Sequence, residues 1–121
     1  MRTTEEVFED HLELRLAGRV EDDIAKNYSD DVVILSSSEV IIGPAGARRC
    51  ADELARLLPD AEFEYVAKHT HGDYAFLKWR AKSKDVAVRH GADSFVIREG
   101  KIVMQTVYYA VESDDKEAER L

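Results

Sequence analysis

The stretch that most constrains the fold is Gly91 to Tyr109, GADSFVIREGKIVMQTVYY, two long β-patterned runs that meet at Glu99-Gly100. A glycine-containing turn between two such runs predicts a hairpin. With Arg98 and Glu99 at its solvent-facing tip, counting back by twos puts Ile97, Phe95 and Asp93 on the face opposite Arg98, Val96 and Ser94. Asp93 is therefore a carboxyl group on an apolar face. Its desolvation has two possible explanations: hydrogen bonds that offset it for structural reasons, or a raised pKa that a ligand uses.

The surrounding chain limits what such a site can belong to. At 121 residues with 45% hydrophobic content, it is long enough for one core and too short for two. Residues 1–112 are predicted to form a single domain and 113–121 a charged tail. The formal net charge of -8 argues against sequence-independent nucleic-acid binding, which needs a basic stripe. The single cysteine, Cys50, excludes an intramolecular disulfide framework and fits a reducing cytoplasm. No window has the apolar run of a signal peptide or the roughly 20 apolar residues of a membrane helix. A soluble cytoplasmic protein with no membrane or nucleic-acid partner is expected.

Taken in order, Thr4 to Leu16 predicts a helix whose residues Val7, Phe8, His11, Leu12 and Leu14 share one arc. His11 lies near the middle of that arc, as a core histidine bonded to backbone or a buried acid, or as a ligand-facing group. Arg15, near the helix end, can reach water. A shorter helix, Glu21 to Tyr28, turns Ile24 and Tyr28 inward, and Ser29-Asp30-Asp31 reads as a turn. Strands are predicted at Val32 to Leu35 and Val40 to Ile42, followed after Gly43-Pro44 by a third helix, Ala45 to Leu58. Cys50 falls on its inner face, as a small hydrophobe and not a catalytic thiol.

The remainder reads as strands: Glu62 to His69, Tyr74 to Lys82, Val86 to Ile97 and Lys101 to Val111. Trp79 alternates onto the covered face with Ala75, Leu77 and Ala81. His69 and His71 lack the further ligands a metal site needs, so none is predicted. Gly91 is a candidate bulge, which would change the face that Arg89 and His90 occupy. The uninterrupted run from Ile102 predicts a last strand covered on both faces, Gln105, Val107 and Tyr109 on one and Met104, Thr106 and Tyr108 on the other. A second copy packed sheet to sheet is the simplest cover, so a homodimer is expected. From Glu112 onward the charged ESDDKEAERL reads as a frayed tail.

This element order predicts an α+β fold: a strongly curved, mostly antiparallel sheet wrapped as a cone around three N-terminal helices. On the stretches HLELRLAGR, NYSDDVVIL, IIGPAGARRCADEL, AFLKWRA and GADSFVIREGKIVMQTVYYAV, the chain resembles the SnoaL-like members of the nuclear-transport-factor-like superfamily. Each motif is mainly a fold signature, and the specificity lies in their order and spacing. The resemblance implies an open cone enclosing a pocket. It sets Asp93 where ketosteroid isomerases have a protonated, hydrogen-bond-donating aspartic acid, and His11 where they have an oxyanion-hole tyrosine. Gln105 and Tyr109 match pocket-lining positions, and Ser36 stands where the general-base aspartate would be, which makes the steroid-isomerase reaction itself improbable.

The functional expectation is a cofactor-independent isomerase, lyase or cyclase acting on a lipophilic small molecule. His11 serves as general acid/base, and Asp93 as its orienter or as a proton donor. Tyr28, Trp79, Gln105 and Tyr109 shape the pocket, with His90 a secondary candidate. The alternative is a ligand-binding or dimerisation module in which His11 and Asp93 form a structural pair. Cavity size separates the two, since a working site needs roughly 300 Å³ or more open to solvent.

Overall fold

A computed structural model of the chain describes residues 1–114. The first helix, α1, spans Thr4–Leu16 as expected. Thr3 is the N-cap, its hydroxyl accepting from the Glu6 amide while the Glu6 carboxylate accepts from the Thr3 amide. This reciprocal box satisfies two otherwise orphaned donors. Then follow α2 (Val20–Asn27), β1 (Tyr28–Ser36), β2 (Val40–Ile42) and α3 (Gly43–Leu57). The chain continues as β3 (Glu62–His71), β4 (Tyr74–Lys82), β5 (Val86–Arg98), β6 (Lys101–Tyr108) and β7 (Glu112–Ser113).

All seven strands form one sheet in the order β2-β1-β6-β5-β4-β3, with β7 paired to β5. Only β1 and β6 run parallel; the other pairs are antiparallel. The central hairpin turns at Glu99 (φ 52°) and Gly100 (φ 73°). Two consecutive left-handed residues match the twist of the flanking strands, which explains the tight connection. Helix α1 supplies Val7, Phe8 and Leu12 to a core completed by Ile24, Val32, Ile34, Leu77, Phe95, Ile97 and Ile102.

Two local expectations are corrected. Ser29-Asp30-Asp31 lies within β1 and is not a separate turn: the β1–β6 pairing passes from Tyr28–Ile102 to Val33–Met104 across it, so the local turn propensity is absorbed as an irregularity inside the strand. The adjustment appears as a register shift between Tyr28 and Val33. The frayed tail expected from Glu112 begins instead as an edge strand: Glu112 and Ser113 pair with Ala87 and Val86, and Arg89 reaches the Glu112 carboxylate at 2.6 Å. Residues 115–121 of that tail lie outside the described residues. The outer face of β6 is open in the single chain, with Tyr108 57% exposed.

Gly91 sits across from Trp79, next to a register shift in the β4–β5 pairing. A Cβ at Gly91 would lie 2.3 Å from the indole ring, so the absence of a side chain lets Trp79 lie flat on the strand. The irregularity leaves His90 exposed on the sheet surface.

Candidate functional site

Between the inner faces of the helices and the concave side of the sheet lies a cavity of about 650 Å³. His11 and Asp93 both line it, as do Tyr28, Trp79, Gln105 and Tyr109. His90 does not, and drops out of the site because the β5 irregularity turns it to solvent. Helix α3 presents Ala47, Cys50, Ala51 and Leu54 to the cavity. That explains why its apolar face is only partly buried beyond Ala47. Burial pushes the Cys50 thiol up, the wrong direction for a nucleophile.

His11 does not pair with Asp93. Its Nδ1–H donates to Asp23 Oδ2 at 2.8 Å, and Asp23, at 0% exposure, is the orienter that sequence reasoning assigned to Asp93. Asp23 also accepts from Arg15 Nε at 2.5 Å through Oδ2 and from Asn27 Nδ2 at 2.9 Å through Oδ1. Burial works to raise the Asp23 pKa, but the hydrogen bonds from His11 and Asn27 and the Arg15 charge outweigh it and hold the carboxyl below its usual value. Asp23 is therefore an anion that can only accept, and this fixes the proton of the neutral imidazole on Nδ1. Among the described residues Nε2 has no protein partner. No buried side-chain nitrogen or oxygen there is left unsatisfied, so Nε2 is not sealed in packing and opens on the cavity that His11 lines. The ring is held edge-on against Tyr28 and Phe95, with centroids 5.7 and 5.3 Å away.

Arg15 is corrected likewise. Instead of reaching out into water, its head folds back on Asp23 and over the Tyr28 ring, 5.9 Å from the centroid.

Asp93 belongs to a second cluster on the sheet. Trp79 Nε1 donates to Oδ1 at 3.0 Å and Gln105 Nε2 to Oδ2 at 3.0 Å, while Tyr28 OH donates to Gln105 Oε1 at 2.5 Å. Desolvation raises the Asp93 pKa above its usual value despite the Trp79 and Gln105 bonds. The two carboxyls are thus pushed apart: Asp23 ionised behind His11, Asp93 biased towards the neutral acid. Such a divergence is how one pocket assigns separate acid and base roles. Phe63, Trp79 and Tyr109 form an aromatic wall, with neighbouring centroids 5.7 and 5.6 Å apart. Ser36 also lines the cavity, but its hydroxyl accepts from the Ser38 and Glu39 amides and donates to the Glu39 carbonyl. It serves the β1–β2 turn. Among the described residues no cluster of three or more His, Cys, Asp or Glu is placed to hold a metal.

Three helices laid against one curved sheet, with a polar cluster inside the cavity between them, define an α+β protein of the nuclear-transport-factor-like type. The chain belongs to the SnoaL-like family, whose SnoaL-like domain model matches residues 8–105. No curated protein sequence matches it. Among solved structures, a proposed ketosteroid isomerase from Kribbella flavida is similar with TM-score 0.74 at 18% identity, over 98% of this chain and 87% of that one. An NTF-2 like protein from Burkholderia xenovorans gives 0.71 at 17%, over 98% and 92%. A proposed SnoaL-like polyketide cyclase from Mesorhizobium loti gives 0.66 at 19%, over 89% and 100%. At these identities the likeness concerns the fold. No described helix is long and apolar enough to cross a membrane.

Proposed function

We propose that this chain is a cytoplasmic, cofactor-independent isomerase, lyase or cyclase that moves a proton on a lipophilic carbonyl compound held in the cavity. The observation that carries this reading is His11, with Nδ1 bound to a buried anion and Nε2 open on a cavity of about 650 Å³. That volume exceeds what a sealed structural pair would leave. Nε2 takes the proton next to the substrate carbonyl. Asp93, in its neutral form, donates a hydrogen bond to the oxygen as negative charge develops there. Asp23 stabilises the imidazolium that results. Trp79, Tyr109 and Phe63 cover the substrate's apolar body. Solved relatives described as a proposed isomerase and a proposed cyclase support this reaction class.

The test is deuterium uptake from heavy water into the α-position of lipophilic ketones, lactones and polyketide-like compounds, first selected by thermal shift and then followed by NMR. Catalysed exchange is expected. Ligand binding without exchange leaves a binding module, and no binding at all overturns the pocket reading.

We also propose a homodimer, formed through the outer sheet face where Leu35, Phe76 and Tyr108 are 40%, 39% and 57% exposed. These residues lie on neighbouring strands, Leu35 opposite Thr106 and Phe76 opposite Ser94, and so form one surface. Sedimentation equilibrium should give twice the chain mass, and Tyr108→Glu should give the monomer. A monomeric unmodified chain at micromolar concentration contradicts this.

A further inference from the structure

The guanidinium of Arg15 is only half used. Nε is committed to Asp23 at 2.5 Å, and Nη2 has one long contact, 3.4 Å, to the Tyr28 hydroxyl. The proton of that hydroxyl goes to Gln105, so the oxygen is a weak acceptor for Arg15. Nη1 has no acceptor among the described residues. Because no buried side-chain nitrogen there is left unsatisfied, Nη1 is accessible, and Arg15 lines the cavity. The outer edge of the fork, Nη1 with Nη2, is thus available to the contents of the pocket.

Of the carboxyl groups that line the cavity, Glu39 is bound by Arg49, Glu53 by Arg56, and Asp93 by Trp79 and Gln105, and Asp60 completes the set. Asp23 is the buried anion that faces Arg15 within hydrogen-bond distance, and His11 shares it. The other arginine lining the cavity, Arg49, is 61% exposed and already bound to Glu39. A partly buried guanidinium is matched best by a planar anion that accepts two parallel N–H bonds, which a carboxylate does and an ester or alcohol does not.

We propose that the natural ligand of this cavity carries a carboxylate on a lipophilic body, and that Arg15 Nη1 and Nη2 bind it beside His11. This deepens the proposed function and rests on its reading of the cavity as a ligand site. Arg15 is then a specificity-determining residue that selects acids over their neutral derivatives. The carboxylate is an anchor and takes no part in the proton transfer.

Isothermal titration calorimetry at pH 7 with two matched pairs, 2-naphthoate against its methyl ester and decanoate against its methyl ester, tests this on the unmodified protein. In at least one pair the acid should bind about 10- to 100-fold more tightly than the ester, as for a charge-assisted hydrogen bond. Arg15→Gln should abolish that preference while keeping the ester's affinity. Since Arg15 also braces Asp23, Arg15→Lys is measured beside it; it retains the charge but lacks the fork, and should keep only part of the preference. Esters that bind as tightly as acids, or a preference that survives Arg15→Gln, overturn the proposal and leave the cavity reading standing. Failure of all four compounds to bind overturns both.

Discussion

Replacing Asp23 by Ala is expected to cost about 3–5 kcal/mol of folding stability, the range for breaking a buried charge pair from one side. The carboxylate is fully buried and is shared by His11, Arg15 and Asn27. Removing it leaves a guanidinium and an imidazole in a poorly solvated place with no counter-charge. Domains of this size are stable by roughly 5–15 kcal/mol in total, so the loss should appear as a large fall in the urea midpoint. Asp23→Asn, which keeps the shape and some hydrogen bonding, should lose less. The pH profile carries a second signature. Asp23 has a folded pKa below its unfolded one, so its contribution is present above the unfolded value and disappears as pH falls through the folded value. Asp93 is raised, so its contribution has the opposite sign: present below its unfolded value and lost as pH rises through its folded one. Asp23→Ala should therefore flatten the acid limb of the stability curve, and Asp93→Asn the decline on the side of rising pH. A midpoint for Asp23→Ala equal to that of the unmodified protein contradicts the role given to this residue.

Replacing His11 by Phe is expected to lower the rate of proton exchange by about 10² to 10⁴, the usual contribution of a positioned acid-base group. Phenylalanine retains an aromatic ring against Phe95 and Tyr28, so the cavity keeps its shape. Substrate affinity should change little compared with turnover, because the lost interaction belongs to the transition state. Asp93→Asn should also slow the reaction, since an amide is a poorer donor to a developing oxyanion than a neutral carboxylic acid. If both variants turn over like the unmodified protein, neither residue belongs to the mechanism. A normal rate for His11→Phe together with a loss of stability leaves His11 as a structural group.

The residues fall into two sets according to how far local pattern determined their surroundings. Asp93, Trp79 and Gln105 were placed by strand alternation and line the cavity, and Tyr109, one residue past the end of β6, lines it with them. His11 followed from the arc of α1. Asp23 was hidden: it stands in the first turn of α2 beside Glu21 and Asp22, where acids normally face solvent and complement the helix dipole. Packing of α2 against α1 turns it inward. One signal was available, the spacing of four to Asn27, which puts both polar side chains on the same buried face. Arg15 was misplaced for a related reason, since its partner lies on another helix. His90 depended on an irregularity in strand register, which alternation cannot reveal. The short β7 was masked by its charge, which Arg89 neutralises while the backbone pairs with β5.

The whole mechanism rests on which nitrogen of His11 carries the proton. A long-range proton–nitrogen correlation spectrum of the histidine rings, recorded at a pH where the imidazole is neutral, reads this directly. Expected is Nδ1 protonated and Nε2 bare, with the preference lost in Asp23→Ala. A neutral ring protonated on Nε2 instead would leave no base facing the cavity and contradict the proposed chemistry.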